Sequence, residues 1–257
     1  MKIFEQLDQW LLLRKSLNTN ITLGFVPTMG NLHAGHLSLI TASQQANTQT
    51  VVSIFVNPTQ FNNSKDLKNY PRTLENDIAL LHDTGVDYCI TPNVQDIYQD
   101  GYSYQIEEKQ SSLLMEGLYR PGHFAGVLTV VMKLFNIVRP HNAYFGEKDY
   151  QQYKILHDMA ISFFLEVKVN LCPTVRDVDG LAISSRNSRL STLAKTTAKK
   201  FAKIFHNHCD NMQIKCKLEQ LGIQVEYLEE YAGRRFIAVM IEGVRLIDNY
   251  LYQPRNQ

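Results

Sequence analysis

At 257 residues the chain is long for one compact core, so two domains of unequal size are expected. Charged residues make up 20% of the sequence and hydrophobic ones 44%, a balance that sets it apart from disordered and membrane-embedded classes. The 26 basic and 25 acidic side chains nearly cancel, which excludes the broad basic surface that nucleic acid requires and makes any phosphate affinity local.

Along the chain, Phe4, Leu7, Trp10 and Leu11 recur at helical spacing, and Glu5 and Asp8 interrupt the apolar run. This predicts an amphipathic first helix kept in the mature protein, not a leader. Residues 21–26 form an apolar run ended by Pro27 and read as a buried strand. Gly30 and Gly35 allow a tight turn, a helix follows through Leu37, Ile40 and Ala46, and the β-branched run 50–56 reads as a second strand. A strand, helix, strand unit needs a crossover and hence a parallel sheet.

The pattern repeats, with helices around Leu74, Ile78 and Leu81, over 124–138 and over 154–164, and strands over 86–91, 143–145 and 166–171. Lys133 and Asn136 break the most apolar of these helices, so no transmembrane span is expected and the cytoplasm is the expected location. Alternation over residues 20–173 predicts an α/β fold, a Rossmann-like doubly wound parallel sheet whose ligands bind beyond the carboxyl ends of the strands. After about Thr174 come a polar helix over 192–206, strands over 224–228 and 236–241, and a turn at 242–244. The expected domains are therefore 1–174, Rossmann-like, and 175–257, a smaller α+β domain. Cys89, Cys172, Cys209 and Cys216 lack close pairing and read as reduced thiols. His206, His208, Cys209 and Cys216 lack the Cys-x-x-Cys pair of structural zinc and read as a helix end.

Chemistry gathers in the loops. After the first long strand stand Pro27, Thr28, Met29, Gly30, Asn31, Leu32, His33, Ala34, Gly35 and His36, with both histidines where a helix begins. Free backbone N–H groups there attract anions, small residues allow close approach, and two imidazoles can donate to phosphate oxygens. Two histidines capping a helix or binding a metal is the competing reading. Asn57-Pro58-Thr59-Gln60 follows the second strand and suits a polar, uncharged part of a substrate, although Asn-Pro also initiates simple turns. Gly146-Glu147-Lys148-Asp149 precedes another helix, where Lys148 can reach phosphate and Asp149 ribose hydroxyls; solvated charges on a first turn are the alternative. Ser184-Ser185-Arg186 combines hydroxyls, amides and a guanidinium suited to departing pyrophosphate, or forms a surface turn.

The His33-Ala34-Gly35-His36 segment resembles the His-x-Gly-His signature of the nucleotidyltransferase superfamily. Residues 27–36, 52–61, 70–73, 120–124, 145–152 and 184–187 together resemble the pantothenate synthetase family, in order and along nearly the whole chain. That resemblance implies an ATP-dependent ligase that activates pantoate as an adenylate and passes it to β-alanine, with magnesium on the ATP phosphates, a closing C-terminal domain and a homodimer. It assigns ATP to Met29, Gly30, Asn31, Leu32, His33, Ala34, Gly35, His36, Gly146, Glu147, Lys148, Asp149, Val175, Ile183, Ser184, Ser185 and Arg186. It assigns pantoate and β-alanine to Gln60, Gln152 and Asn57, and the catalytic roles to His33, His36, Lys148, Ser184, Ser185 and Arg186; Asp77 is a candidate to help hold magnesium. Ile183 stands where relatives often carry methionine. Two other readings remain: a nucleotidyltransferase forming a dinucleotide or a CDP-alcohol, and a regulatory nucleotide-binding module without catalysis.

Overall fold

The computed structural model describes residues 1–207 and 209–252. His208, one of the residues considered above for a metal, lies outside the described residues. The chain divides into two compact units: Met1–Gly146 with Gln151–Cys172, and Glu147–Tyr150 with the chain from Pro173 onward.

The first unit holds β1 (Lys2–Phe4), α1 (Leu7–Ser16), β2 (Leu23–Thr28), α2 (Ala34–Ala46), β3 (Gln49–Ile54), α3 (Ser64–Lys68), α4 (Leu74–Asp83) and β4 (Tyr88–Ile90). It continues through α5 (Val94–Ile97), α6 (Glu116–Tyr119), α7 (His123–Val138), β5 (Asn142–Gly146), α8 (Tyr150–Ser162) and β6 (Lys168–Cys172). Its six strands pair in parallel in the order β1-β4-β3-β2-β5-β6. The two neighbours of β2 follow it in opposite directions across the sheet, so the topological switch point, the place where open α/β sheets bind their ligands, lies at β2 and β5. Alternate strand residues serve opposite faces. Phe25, Val51, Ala143 and Val169 pack with Trp10, Leu128 and Leu156 on one face. Val26, Val52, Cys89 and Tyr144 pack with Leu39, Ile40 and Leu81 on the other. Burial on both sides is why these strands read as unbroken apolar runs, and it makes the sheet doubly wound.

One difference concerns the first residues. Phe4 belongs to β1, which pairs with β4 in the register Lys2↔Tyr88, and the helix begins only at Leu7. Phe4 still faces the same cluster as Trp10, with ring centroids 5.5 Å apart in an edge contact, so its helical spacing in the sequence reflects a shared core and not a shared helix.

The second unit holds α9 (Thr192–Phe205), α10 (Asn211–Gln220) and an antiparallel sheet of β7 (Gln224–Tyr231), β8 (Arg234–Ile241) and β9 (Val244–Leu251). Ala232-Gly233 and Glu242-Gly243 close the two hairpins, all four residues having positive φ, the conformation that two-residue hairpin turns demand. Phe201, Phe205, Ile214 and Leu218 from the helices meet Ile237, Val239 and Leu246 from the sheet. Among the described residues no helix is long and apolar enough to cross a membrane.

Candidate functional site

The loop that leaves β2 is held in a specific backbone conformation. Gly30 (φ 78°) and Asn31 (φ 51°) are successive left-handed residues, which turns neighbouring N–H groups to one side as an anion-binding concavity. Here the anion is internal. The Asp77 carboxylate, 3% exposed at the start of α4, accepts from the backbone N–H of Asn31 and of Leu32, each at 2.8 Å, and from the Thr73 hydroxyl at 3.0 Å. A Cβ on Gly30 would stand 3.0 Å from that carboxylate. Burial, aided by the nearby charge of Asp77, pushes the Cys89 thiol up to about 12. These three bonds make Asp77 the residue that pins the loop, a role its assignment toward magnesium did not anticipate.

His33 caps α2, its Nδ1 accepting from Gly35 N at 3.1 Å, and His36 Nδ1 accepts from His33 N at 3.3 Å. A backbone N–H can only donate, so neither Nδ1 carries a proton and in the neutral rings both protons sit on Nε2. The rings lie 4.1 Å apart, centroid to centroid. Two N–H donors of fixed tautomer therefore stand at the positive end of a 13-residue helix.

The turn after β3 is one 3₁₀ turn, Pro58–Gln60, with Asn57 preceding it. Asn57 is 1% exposed, and each of its hydrogen-bonding positions is filled. Its Nδ2 donates to Gln60 Oε1 (3.2 Å) and to the Gly126 carbonyl (3.1 Å), while its Oδ1 accepts from the hydroxyls of Tyr98 (2.7 Å) and Thr59 (3.1 Å). Asn57, which the sequence reading assigns to substrate, orients Gln60 here, both donors of its side-chain amide being engaged. Gln60 differs: its Nε2 lies 2.8 Å from Met29 Sδ, and a thioether is a weak acceptor that a substrate oxygen would outcompete. That contact joins the glutamine turn to the histidine loop. Farther along, Gln151 is buried and bonds Glu116 N and the carbonyls of Ser111 and Leu114. Its neighbour Gln152 is half-buried, and its amide makes no hydrogen bond among the described residues.

In the second unit, Glu147–Asp149 form a 3₁₀ turn held from β8 and β9. Arg234 donates to Glu147 Oε1 at 2.7 Å and to Asn249 Oδ1, and Asn249 Nδ2 donates to the carbonyls of Glu147 and Lys148, both at 2.9 Å. The Glu147 side chain thus secures the turn. Lys148 is held only loosely to Asp149 (3.3 Å), whose side chain is 46% exposed. Val175 and Ile183 face each other across a short hairpin through the bond from Ile183 N to Val175 O at 3.0 Å, and the Asp177 carboxylate fixes its tip by accepting from Asp179 N and Leu181 N. Ser184 leads into the 3₁₀ segment Ser185–Arg189, its hydroxyl on Asn187 Oδ1 at 2.7 Å. Lys148, Ser184 and Arg186 line one small cavity with Arg245 and Asp248. Sequence reading overlooked Arg234, Asn249 and Asp248: Arg234 precedes the apolar part of β8 that reads as a strand, and Asp248, which holds Arg176 and His206, stands with Asn249 in β9, too polar to read as one. Among the described residues no group of three or more His, Cys, Asp or Glu side chains is placed to hold a metal.

Residues 1–251 match the family model for pantoate-beta-alanine ligase. Pantothenate synthetase of Legionella pneumophila (strain Lens) is 56% identical over 98% of this chain and 100% of its own, and that of Coxiella burnetii (strain Dugway 5J108-111) is 50% identical over 96% of each. The crystal structure of pantoate-beta-alanine ligase from Francisella tularensis, complexed with beta-gamma ATP and beta-alanine, superposes with a TM-score of 0.95 at 42% identity, covering 98% of this chain and 97% of that one.

Proposed function

The chain belongs to the pantoate-beta-alanine ligase family, enzymes that join pantoate to β-alanine with ATP, and we propose that it does so in two steps through a pantoyl-adenylate intermediate. In the first, a carboxylate oxygen of pantoate bonds to the α-phosphorus of ATP and pyrophosphate leaves. In the second, the neutral amine of β-alanine bonds to the acyl carbon, loses a proton, and AMP leaves. Pantoate is already ionised at neutral pH, so the first step needs alignment and charge neutralisation, not a general base.

One observation above all supports this reading: the Gln60 amide touches Met29 of the histidine loop, so a group suited to pantoate adjoins a group suited to phosphate within one unit. We assign the Nε2–H groups of His33 and His36 to the charge building on the α-phosphate, and Lys148, Ser184, Ser185 and Arg186 to the remaining phosphates. Gly30, Asn31 and Gly35 shape the approach for ATP, Val175 and Ile183 flank the base, and Gln60 and Gln152 hold pantoate. Magnesium fits this chain as a companion of the ATP phosphates, the usual way a hard cation that keeps its waters is bound, and no step is assigned to a protein-held ion. A homodimer in the cytoplasm completes the proposal, and sedimentation tests the dimer.

The deciding experiment supplies ATP, magnesium and pantoate without β-alanine and follows exchange of labelled pyrophosphate into ATP. Exchange that requires pantoate, and transfer of heavy oxygen from labelled pantoate carboxylate to AMP once β-alanine is added, are the expected results. Pantothenate formed without either would overturn the adenylate.

A further inference from the structure

The 3₁₀ turn that carries Gln60 is seated on the first half of α7. A Cβ at Gly126 would come 2.5 Å from the Thr59 carbonyl oxygen and 2.7 Å from Gln60 N, so only glycine lets the turn lie this close to the helix. One helical turn earlier, His123 is 6% exposed, with Nδ1 2.8 Å from the Gln60 carbonyl oxygen and Nε2 3.1 Å from an Arg120 guanidinium nitrogen.

These two contacts fix the state of the ring. A guanidinium only donates, so Nε2 must accept and carries no proton; a carbonyl only accepts, so Nδ1 must donate and carries one. Both ends demand the same neutral tautomer, and it is opposite to that of His33 and His36. Arg120 is in turn 3.5 Å from the buried Glu116 carboxylate, one helical turn away. The main chain of Gln60 is thereby tied to α7 through His123, while its side-chain oxygen is tied to Asn57. Among the described residues the Gln60 Nε2 donor has no acceptor but the thioether of Met29.

From this we infer that His123 is a positioning residue: locked as the Nδ1–H tautomer by Arg120, it anchors the Gln60 carbonyl and so aims the Gln60 amide at pantoate. The inference rests on the reading that Gln60 binds pantoate. Nothing in it requires His123 to touch substrate. Its specific consequence is that the bond donated at Nδ1, and not the volume of the ring, supports pantoate binding.

Asparagine and glutamine separate the two ring positions, because the Asn amide nitrogen can stand near Nδ1 and the Gln amide nitrogen near Nε2. His123→Gln should raise the KM for pantoate about tenfold, with the KM for ATP within about twofold of wild type, and His123→Asn should restore most of the loss. Coupling provides the readout that a merely structural role would not move. In a Gln60→Ala background, His123→Gln should add little further loss for pantoate, whereas independent effects would multiply. Multiplying losses, or equal damage from the Asn and Gln variants, overturns the proposal. If Gln60→Ala alone leaves the KM for pantoate unchanged, the reading of Gln60 has failed instead, which is a separate outcome. Should His123→Gln not fold, nitrogen NMR of the wild-type protein, assigned by the missing signal in His123→Asn, decides: an Nδ1–H ring supports the proposal, and an Nε2–H or protonated ring overturns it.

Discussion

Replacing Asp77 by asparagine tests how the phosphate loop is held. The carboxylate accepts from Asn31 N and Leu32 N at 2.8 Å, from a site 3% exposed. An amide keeps one acceptor oxygen, but its NH2 then faces the second N–H, donor against donor. A hydrogen bond to a charged group contributes about 1.5 to 3 kcal/mol, and the surviving bond loses its charge assistance, so the loss should be about 3 kcal/mol. Urea unfolding reads it as a lower midpoint at unchanged slope. Because Asn31 and Leu32 lead directly into His33, the KM for ATP should rise as well. Were Asp77 a magnesium ligand, the variant would keep wild-type stability and recover its activity at high magnesium. That pair of results would refute the loop-pinning account.

Lys148→Ala should slow pantoate-dependent pyrophosphate exchange by about 10²-fold, while the reaction of supplied pantoyl adenylate with β-alanine suffers less; equal loss in both would remove Lys148 from the phosphate chain. Burial raises the Asp248 carboxyl, but hydrogen bonds from His206 and Arg176 outweigh it and leave the group below its ordinary value of 3.8. Its ionised form therefore stabilises the fold above pH 3.8, and that contribution is lost as pH falls through the lower folded value. Acid unfolding of Asp248→Asn should lack this part of the slope, and at neutral pH the variant should be about 3 kcal/mol less stable for leaving Arg176 unpartnered by its carboxylate. Cys216 is exposed, whereas Cys89 and Cys172 are buried with raised thiols, so a thiol reagent should label Cys216 readily and the other two only on unfolding. Fast labelling of Cys89 in the folded protein would contradict its packing behind the Asp77 loop.

How much of this is legible in the sequence depends on where the stabilising partner stands. Strands β2 and β3 and helix α7 announce themselves because burial on more than one side demands unbroken apolar runs. Strand β9 does not: Arg245, Asp248 and Asn249 interrupt its pattern, and each is polar because it bonds a distant segment. Helix α10 is equally muted, since only Ile214 and Leu218 face the core. The phosphate corner reads well because its signals are local, glycine for left-handed backbone and histidine at a helix start. Asp77, by contrast, is separated from Leu32 by 45 residues, and no local pattern links them.

The same limit explains why amide residues are the hardest to sort. Asn57 and Gln60 stand three residues apart and Gln151 and Gln152 are adjacent, with nothing in side-chain type to rank them. Hydrogen-bond valence ranks them at once. Asn57 has both donors and its oxygen engaged, and Gln151 binds three backbone groups, so each is a strut. Gln60 offers its NH2 to a sulfur, and Gln152 makes no bond among the described residues. A donor left on a weak acceptor in a nearly closed site costs free energy in the unliganded protein and regains it when a hydroxyl or carboxylate arrives. Under-satisfied amides braced by fully satisfied ones are therefore the arrangement expected of a pocket built to discriminate a polar substrate, and the bracing residues determine how sharply it does so.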